Sequence, residues 1–257
     1  YSRTAAKVFL LLAPGSENTL ADSEGDDLAA EESNVDAALF SKADLTINGT
    51  GSLTVTGAAH GIVCKDELVF TDGVLTVDAA ADGIQGKDSV KIRAGTITVT
   101  AGDDGIKSNN TEDTARGFVS VDGGTIAITA GQDGIQAETV LRISGGELTL
   151  TTGGGSANAS TDSSGAMRPG WGAWGGGQQT QTTDTTSAKG LKAGSGLQIT
   201  GGQFTLDTSD DAVHTNGDLS ISGGVFAISS GDDGIHADNA LSVSGGEITI
   251  SRSYEGV

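Results

Sequence analysis

The chain has 257 residues, with 34 acidic against 14 basic side chains, a formal net charge of -20, 4% aromatics and 41 glycines. So acidic a chain is a poor partner for nucleic acid, whose phosphates call for Lys and Arg, and it is repelled by anionic membranes; it suits cations, or an acidic ligand bridged by cations. No stretch reaches the roughly 18 apolar residues of a membrane span, and the lone cysteine, Cys64, excludes an internal disulfide framework without fixing the compartment.

The apolar run at 8–13, VFLLLA, is too short to span and is followed by charges rather than a small-residue cleavage site, so it does not read as a signal peptide. Residue 1 reads as the middle of a longer precursor. From Ala38 onward the chain repeats itself. Anchored on the glycine of a D-G-I pattern, Gly61, Gly83 and Gly105 are 22 residues apart, and so are Gly190, Ala212, Gly234 and Gly256. Gly134 falls out of phase through a seven-residue insertion around 110–116, and a longer insertion, 153–187, precedes Gly190.

Each unit holds three short alternating segments. In 82–100, DGIQGKDSVKIRAGTITVT, Ile84 opens the first, Val90 and Ile92 lie on the second, and Ile97 and Val99 on the third. Apolar residues at period two, bounded by Gly-containing turns, mark strands and leave no room for helices. A fixed period of this length marks a solenoid. The fold class is therefore all-β, a right-handed parallel β-helix with three short strands per coil. Five aliphatics per coil point inward, and about eight coils stack to roughly 40 Å at about 4.8 Å each. The pairs Gly123-Gly124, Gly145-Gly146, Gly201-Gly202, Gly223-Gly224 and Gly245-Gly246 recur at one turn, as expected where φ is positive. The whole of 1–257 reads as a single domain, cut at both ends and open to end-to-end self-association through unpaired edges.

Residues one repeat apart lie over one another, so the position before the anchoring glycine forms a column: His60, Asp82, Asp104, Asp133, Lys189, Asp211, Asp233, Glu255. The preceding position adds Asp103, Asp210 and Asp232. Unit charges about 4.8 Å apart repel by about 3.5 kcal/mol at an effective dielectric of 20, so something must compensate. Calcium takes six to eight oxygen ligands at about 2.3–2.6 Å, and a second outward column supplies Lys87, Asn109, Glu138, Asn216 and Asp238. The expectation is two calcium clusters, one on each side of the long insertion, drawn from Asp82, Asp103, Asp104, Asn109, Asp133 and Glu138, and from Asp210, Asp211, Asn216, Asp232, Asp233 and Asp238. The plainer alternative is that Asp before Gly caps a turn. Between the columns runs a third, Gln85, Lys107, Gln136, Lys192, His214 and His236, whose two histidines offer at most a transition-metal pair. Cys64 falls in a column of small residues and should be buried. Trp171 and Trp174 lie in the Gly-rich insertion, where they either stack on sugar rings or pin the loop. Thr54, Thr76, Thr98, Thr149, Thr205 and Thr249 form an outward ladder that suits a crystalline polysaccharide or simply an exposed strand.

ENTLAD at 17–22, LTINGTGSLTVTG at 45–57, GDDGIKSNN at 102–110, AKGLKAG at 188–194 and SRSYEGV at 251–257 resemble the bacterial carbohydrate-binding β-helix family, whose members bind cellulose or acidic sugars. The resemblance covers almost the whole chain. It implies a secreted or cell-surface bacterial protein, a fold related to pectate lyases, bound calcium and polysaccharide as partner, with Lys87, Lys107, Lys192, Trp171 and Trp174 as candidate glycan contacts. Non-catalytic calcium-dependent binding is one expectation. A calcium-dependent lyase with Lys107 as base is a second, weakened because a lysine among acids holds its proton. A structural fibre subunit is a third.

Overall fold

The computed structural model describes residues 6–22, 36–159 and 187–257. Among them are 26 strands, numbered in chain order from β1 (Lys7–Leu12) to β26 (Glu247–Arg252). All pairings are parallel, and each strand pairs with the strands three before and three after it. Three sheets result. The first holds the shortest strands: β3 (Ala37–Ser41), β6 (His60–Cys64), β9 (Ile84–Gly86), β12 (Ile106–Ser108), β15 (Ile135–Ala137), β18 (Leu191–Ala193), β21 (Val213–Thr215) and β24 (Ile235–Ala237). The second and third have nine strands each, ending in β25 (Leu241–Val243) and β26. This is the right-handed parallel β-helix that the repeat predicts.

The core follows from the alternation. Ile84, Val90, Ile92, Ile97 and Val99, the five aliphatics of one coil, are each at most 2% exposed. Burial of such side chains is worth about 1.5–3 kcal/mol each before entropy is subtracted. Register is continuous through the long insertion: Leu148 pairs with Phe204 and Phe204 with Phe226, whose rings stack at 4.4 Å. Cys64 is fully buried, and burial pushes its thiol up to about 11.

Glycine has two separate reasons here. The second glycine of each pair has positive φ, 101° at Gly146 and 107° at Gly224, where an L side chain is strained. The anchoring glycine of D-G-I has no such φ; it is crowded. A Cβ on Gly83 would lie 2.4 Å from a methyl of Val99 and 2.7 Å from the carbonyl of Gly105. Ala212 stands in the same column with a methyl group, and it is buried.

The Thr ladder is real but interrupted. Thr54, Thr76 and Thr98 pair in register on the third sheet, then Ala127 breaks the run, as Ala227 does between Thr205 and Thr249. The start of the long insertion folds as a single 3-10 turn, Ser156–Asn158, against this sheet. There the Ser156 amide donates to Asp207 at 2.7 Å, and the Ser156 hydroxyl meets that of Ser229 at 2.8 Å.

Candidate functional site

The acidic column sits where the chain enters the first sheet, and the structure shows how it is tolerated. At Asp82, Asp104, Asp133 and Asp211 one carboxylate oxygen accepts the backbone N–H of the residue one coil on. Asp82 Oδ1 accepts from Asp104 at 3.2 Å, Asp104 Oδ1 from Asp133 at 3.0 Å, Asp133 Oδ1 from Lys189 at 2.9 Å, and Asp211 Oδ1 from Asp233 at 3.0 Å. At Asp104, Asp133, Asp211 and Asp233 the other oxygen meets a lysine ammonium or a histidine ring nitrogen from the neighbouring column. Asp104 Oδ2 lies 2.6 Å from Lys107 Nζ, Asp133 Oδ2 2.7 Å from Lys192 Nζ, Asp211 Oδ2 2.8 Å from His214 Nδ1, and Asp233 Oδ2 2.9 Å from His236 Nδ1. Carboxylates thus alternate with nitrogen-bearing side chains, and Asp82, Asp104, Asp133 and Asp211 each staple their coil to the next.

Electrostatics follow from this placement. Burial pushes the Asp104 carboxyl above its ordinary value, although Lys107 opposes it. Burial pulls Lys107 down, but the hydrogen bond and charge of Asp104, with Asp82 and Asp133 behind, outweigh it and hold the ammonium above its usual range. Lys189 is raised in the same way, by Asp210 and Asp211 against its own burial. Asp211 is also pushed up by burial, yet His214 and Lys189 bring it down to about 2.

The predicted metal ligands are therefore not equivalent. The structure brings Asp210, Asp211 and Asp232 together, with one oxygen of each within 4.8 Å of the others. Asp82, Asp104 and Asp133 form no such triad among the described residues; their oxygens hold backbone amides and lysines, so they fit a calcium ion poorly. Asp103 accepts a bond from the Gln132 amide at 2.7 Å. Asn216 and Asp238 face His214 and His236. Glu138 is half-buried and Lys87 pairs with Glu112 at 3.1 Å. Asn109 presents a buried Oδ1 that meets no donor among the described residues. Trp171 and Trp174 lie outside the described residues.

The triad partly fits calcium. Lys189 Nζ already stands 2.8 Å from Asp210 Oδ2 and 3.0 Å from Asp211 Oδ2. Three carboxylates against one ammonium still leave excess negative charge. Asp232 carries it: its carboxyl is raised by partial burial and by the charges of Asp211, Asp233 and Asp210. Three oxygens fall short of the six to eight that calcium takes, so an ion held there would need water to complete its shell.

Sequence reasoning missed a second charged knot. Asp66 and Asp88 lie one coil apart at the next corner, and the short insertion brings Arg116 onto both, with Asp113 3.3 Å from its Nε. Asn110 ties the insertion down, donating to Asp88 and accepting the amides of Glu112 and Asp113. The 22-residue spacing of Asp66 and Asp88 was a readable signal; the position of Arg116 inside an insertion was not.

Comparison with known proteins gives two matches. The family model described as "Carbohydrate-binding domain-containing protein" matches residues 1–234. A solved structure, "Structure of the polysaccharide lyase-like protein from C. thermocellum, Gadolinium derivative", is 37% identical with a TM-score of 0.53. That alignment covers 58% of this chain and 60% of the other. No curated protein matches.

Proposed function

We propose, from the premise that the chain belongs to the family of carbohydrate-binding domain-containing proteins, that it is a non-catalytic polysaccharide-binding module of the bacterial cell surface or exterior. The family match over residues 1–234 carries this reading. The outer face of the first sheet supports it. There Lys107, Gln136 and Lys192 form a column of partly exposed hydrogen-bond donors at strand spacing. A glycan lying along the stack would meet one donor per coil, and sugar hydroxyls both donate and accept.

Calcium enters at the Asp210, Asp211 and Asp232 triad as a weak, largely hydrated site. Lys107 and Lys192 are already neutralised by Asp104 and Asp133, so a net charge of -20 repels polyuronates unless a divalent ion bridges them. Uronate binding should then need calcium, whereas cellulose binding should not.

The similar structure is named polysaccharide lyase-like, so elimination is the second reading. It asks Lys107 to remove a proton, and the carboxylates around Lys107 keep it protonated. Isothermal titration with oligogalacturonate, cello-oligosaccharide and a neutral glucan, with and without EDTA, tests the proposal. Binding with EDTA-sensitivity confined to the uronate is expected. Absence of binding to all three refutes it, and release of unsaturated uronate favours the lyase.

A further inference from the structure

We propose that Lys87 anchors a carboxylate of an acidic glycan, and that Glu112 is a built-in competitor for Lys87 which a polyuronate displaces. The inference rests on the polysaccharide reading above and adds the regulation of the same face. The lysines of that face differ in what holds them. Lys107 lies 2.6 Å from Asp104 and Lys192 2.7 Å from Asp133, and those carboxylates are only 3% and 2% exposed. Both also accept a backbone amide from the next coil, so neither can leave its place. Lys189 stands 2.8 Å from Asp210 and 3.0 Å from Asp211. Lys87 is different. Among the described residues its carboxylate partner is Glu112, at 3.1 Å, and the two side chains are 36% and 77% exposed. Lys87 follows the end of β9, whose Gln85 pairs with Lys107, so an anchor there continues the column of donors by one coil.

The short insertion delivers Glu112 to this place and holds its backbone there. Buried Asn110 accepts the amides of Glu112 and Asp113 at 2.9 Å and 3.0 Å and donates to Asp88. At the far end the Gly117 amide donates to the Asp88 carbonyl at 2.7 Å, and the Thr139 hydroxyl donates to the Arg116 carbonyl at 2.6 Å. Asp66 and Asp88, each next in sequence to a lysine of this corner, are turned to Arg116. Displacing Glu112 therefore asks for one exposed side chain to swing away, with no loss of backbone structure. An exposed ion pair contributes little, so one carboxylate exchanges for another at small cost. The same exchange gives a single uronate little net affinity, because Glu112 is tethered and its effective concentration is high. A polyuronate bound at neighbouring coils presents its carboxylate from an equally tethered position and can win. Glu112 thus selects polymer over monomer.

The test is isothermal titration of oligogalacturonate and of cello-oligosaccharide into the full chain with calcium present. Wild type is compared with Glu112→Gln, Lys87→Gln, the double variant, and Glu147→Gln, an exposed acid of the third sheet that controls for net charge. Glu112→Gln should bind oligogalacturonate roughly 2–5-fold more tightly, the change that releasing an exposed ion pair returns. Its affinity for cello-oligosaccharide should not change. The gain should vanish in the Lys87→Gln background, and Glu147→Gln should match wild type. Circular dichroism checks that every variant is folded. Equal uronate affinity in wild type and Glu112→Gln, a gain that survives loss of Lys87, or the same gain in Glu147→Gln would overturn the proposal. Binding of cello-oligosaccharide with no uronate binding by any variant overturns this inference alone. Binding of neither sugar overturns the polysaccharide reading and this inference with it.

Discussion

Replacing Asp211 with asparagine isolates the charge of one rung in the carboxylate column. Asparagine keeps an oxygen that can accept the Asp233 amide, now held by Asp211 Oδ1 at 3.0 Å. It removes the negative charge that faces Lys189 Nζ at 3.0 Å and His214 Nδ1 at 2.8 Å. The Asp211 carboxyl sits at about 2 against an ordinary 3.8, and that gap corresponds to about 2 kcal/mol of stability. The sign is that of a depressed acid: the contribution is complete above pH 3.8 and disappears as pH falls towards 2. Asp211→Asn should therefore lose about 2 kcal/mol at neutral pH, or roughly 4–8 °C in melting temperature for a chain of this size. The deficit should shrink to near zero at the acid end. Denaturant unfolding of both proteins across pH, followed by circular dichroism, measures it. A deficit under about 0.5 kcal/mol at neutral pH, or one that does not change with pH, refutes the reasoning.

Gly146→Ala should cost at least about 2 kcal/mol, because φ is 101° and the new Cβ would stand 2.9 Å from the Gly124 carbonyl; Gly196→Ala, whose Cβ would meet nothing nearer than 3.4 Å, should be near neutral, and thermal melts compare the two. Millimolar calcium should raise the melting temperature of the wild type but not of Asp232→Asn. Without calcium, that variant should be no less stable than wild type at neutral pH, because a raised carboxyl loses stability on ionising. Cys64 should resist iodoacetamide in the folded protein and react only on unfolding, since its thiol is buried and held near pH 11.

The stack was legible because its signal is redundant. A 22-residue period, inward aliphatics such as Val90 and Ile92, and paired glycines at one turn each imply the same coil, and the structure carries all three. The aspartate column was legible too, as vertical register is a consequence of the period. Its counterions were not. Lys107, Lys192, His214 and His236 stood in view three residues after the anchoring aspartate or one coil on. A repeat fixes which residues align, but not which way a long side chain turns within its coil. Repulsion along the column therefore pointed to external calcium at Asp82, Asp104 and Asp133, where the chain supplies amides and ammonium groups of its own. Among the described residues Asp210, Asp211 and Asp232 retain a surplus, because there a doublet from one coil meets Asp232 from the next and Lys189 is the one ammonium beside them. Arg116 was hidden because an insertion has no phase.

Amide hydrogen exchange with and without a bound oligosaccharide tests most directly the claim that the first sheet's outer face binds glycan. With oligogalacturonate and calcium, added protection is expected at Ile106–Ser108, Ile135–Ala137 and Leu191–Ala193, the strands that carry Lys107, Gln136 and Lys192. Protection confined to the third sheet, or none despite saturating ligand, would contradict it.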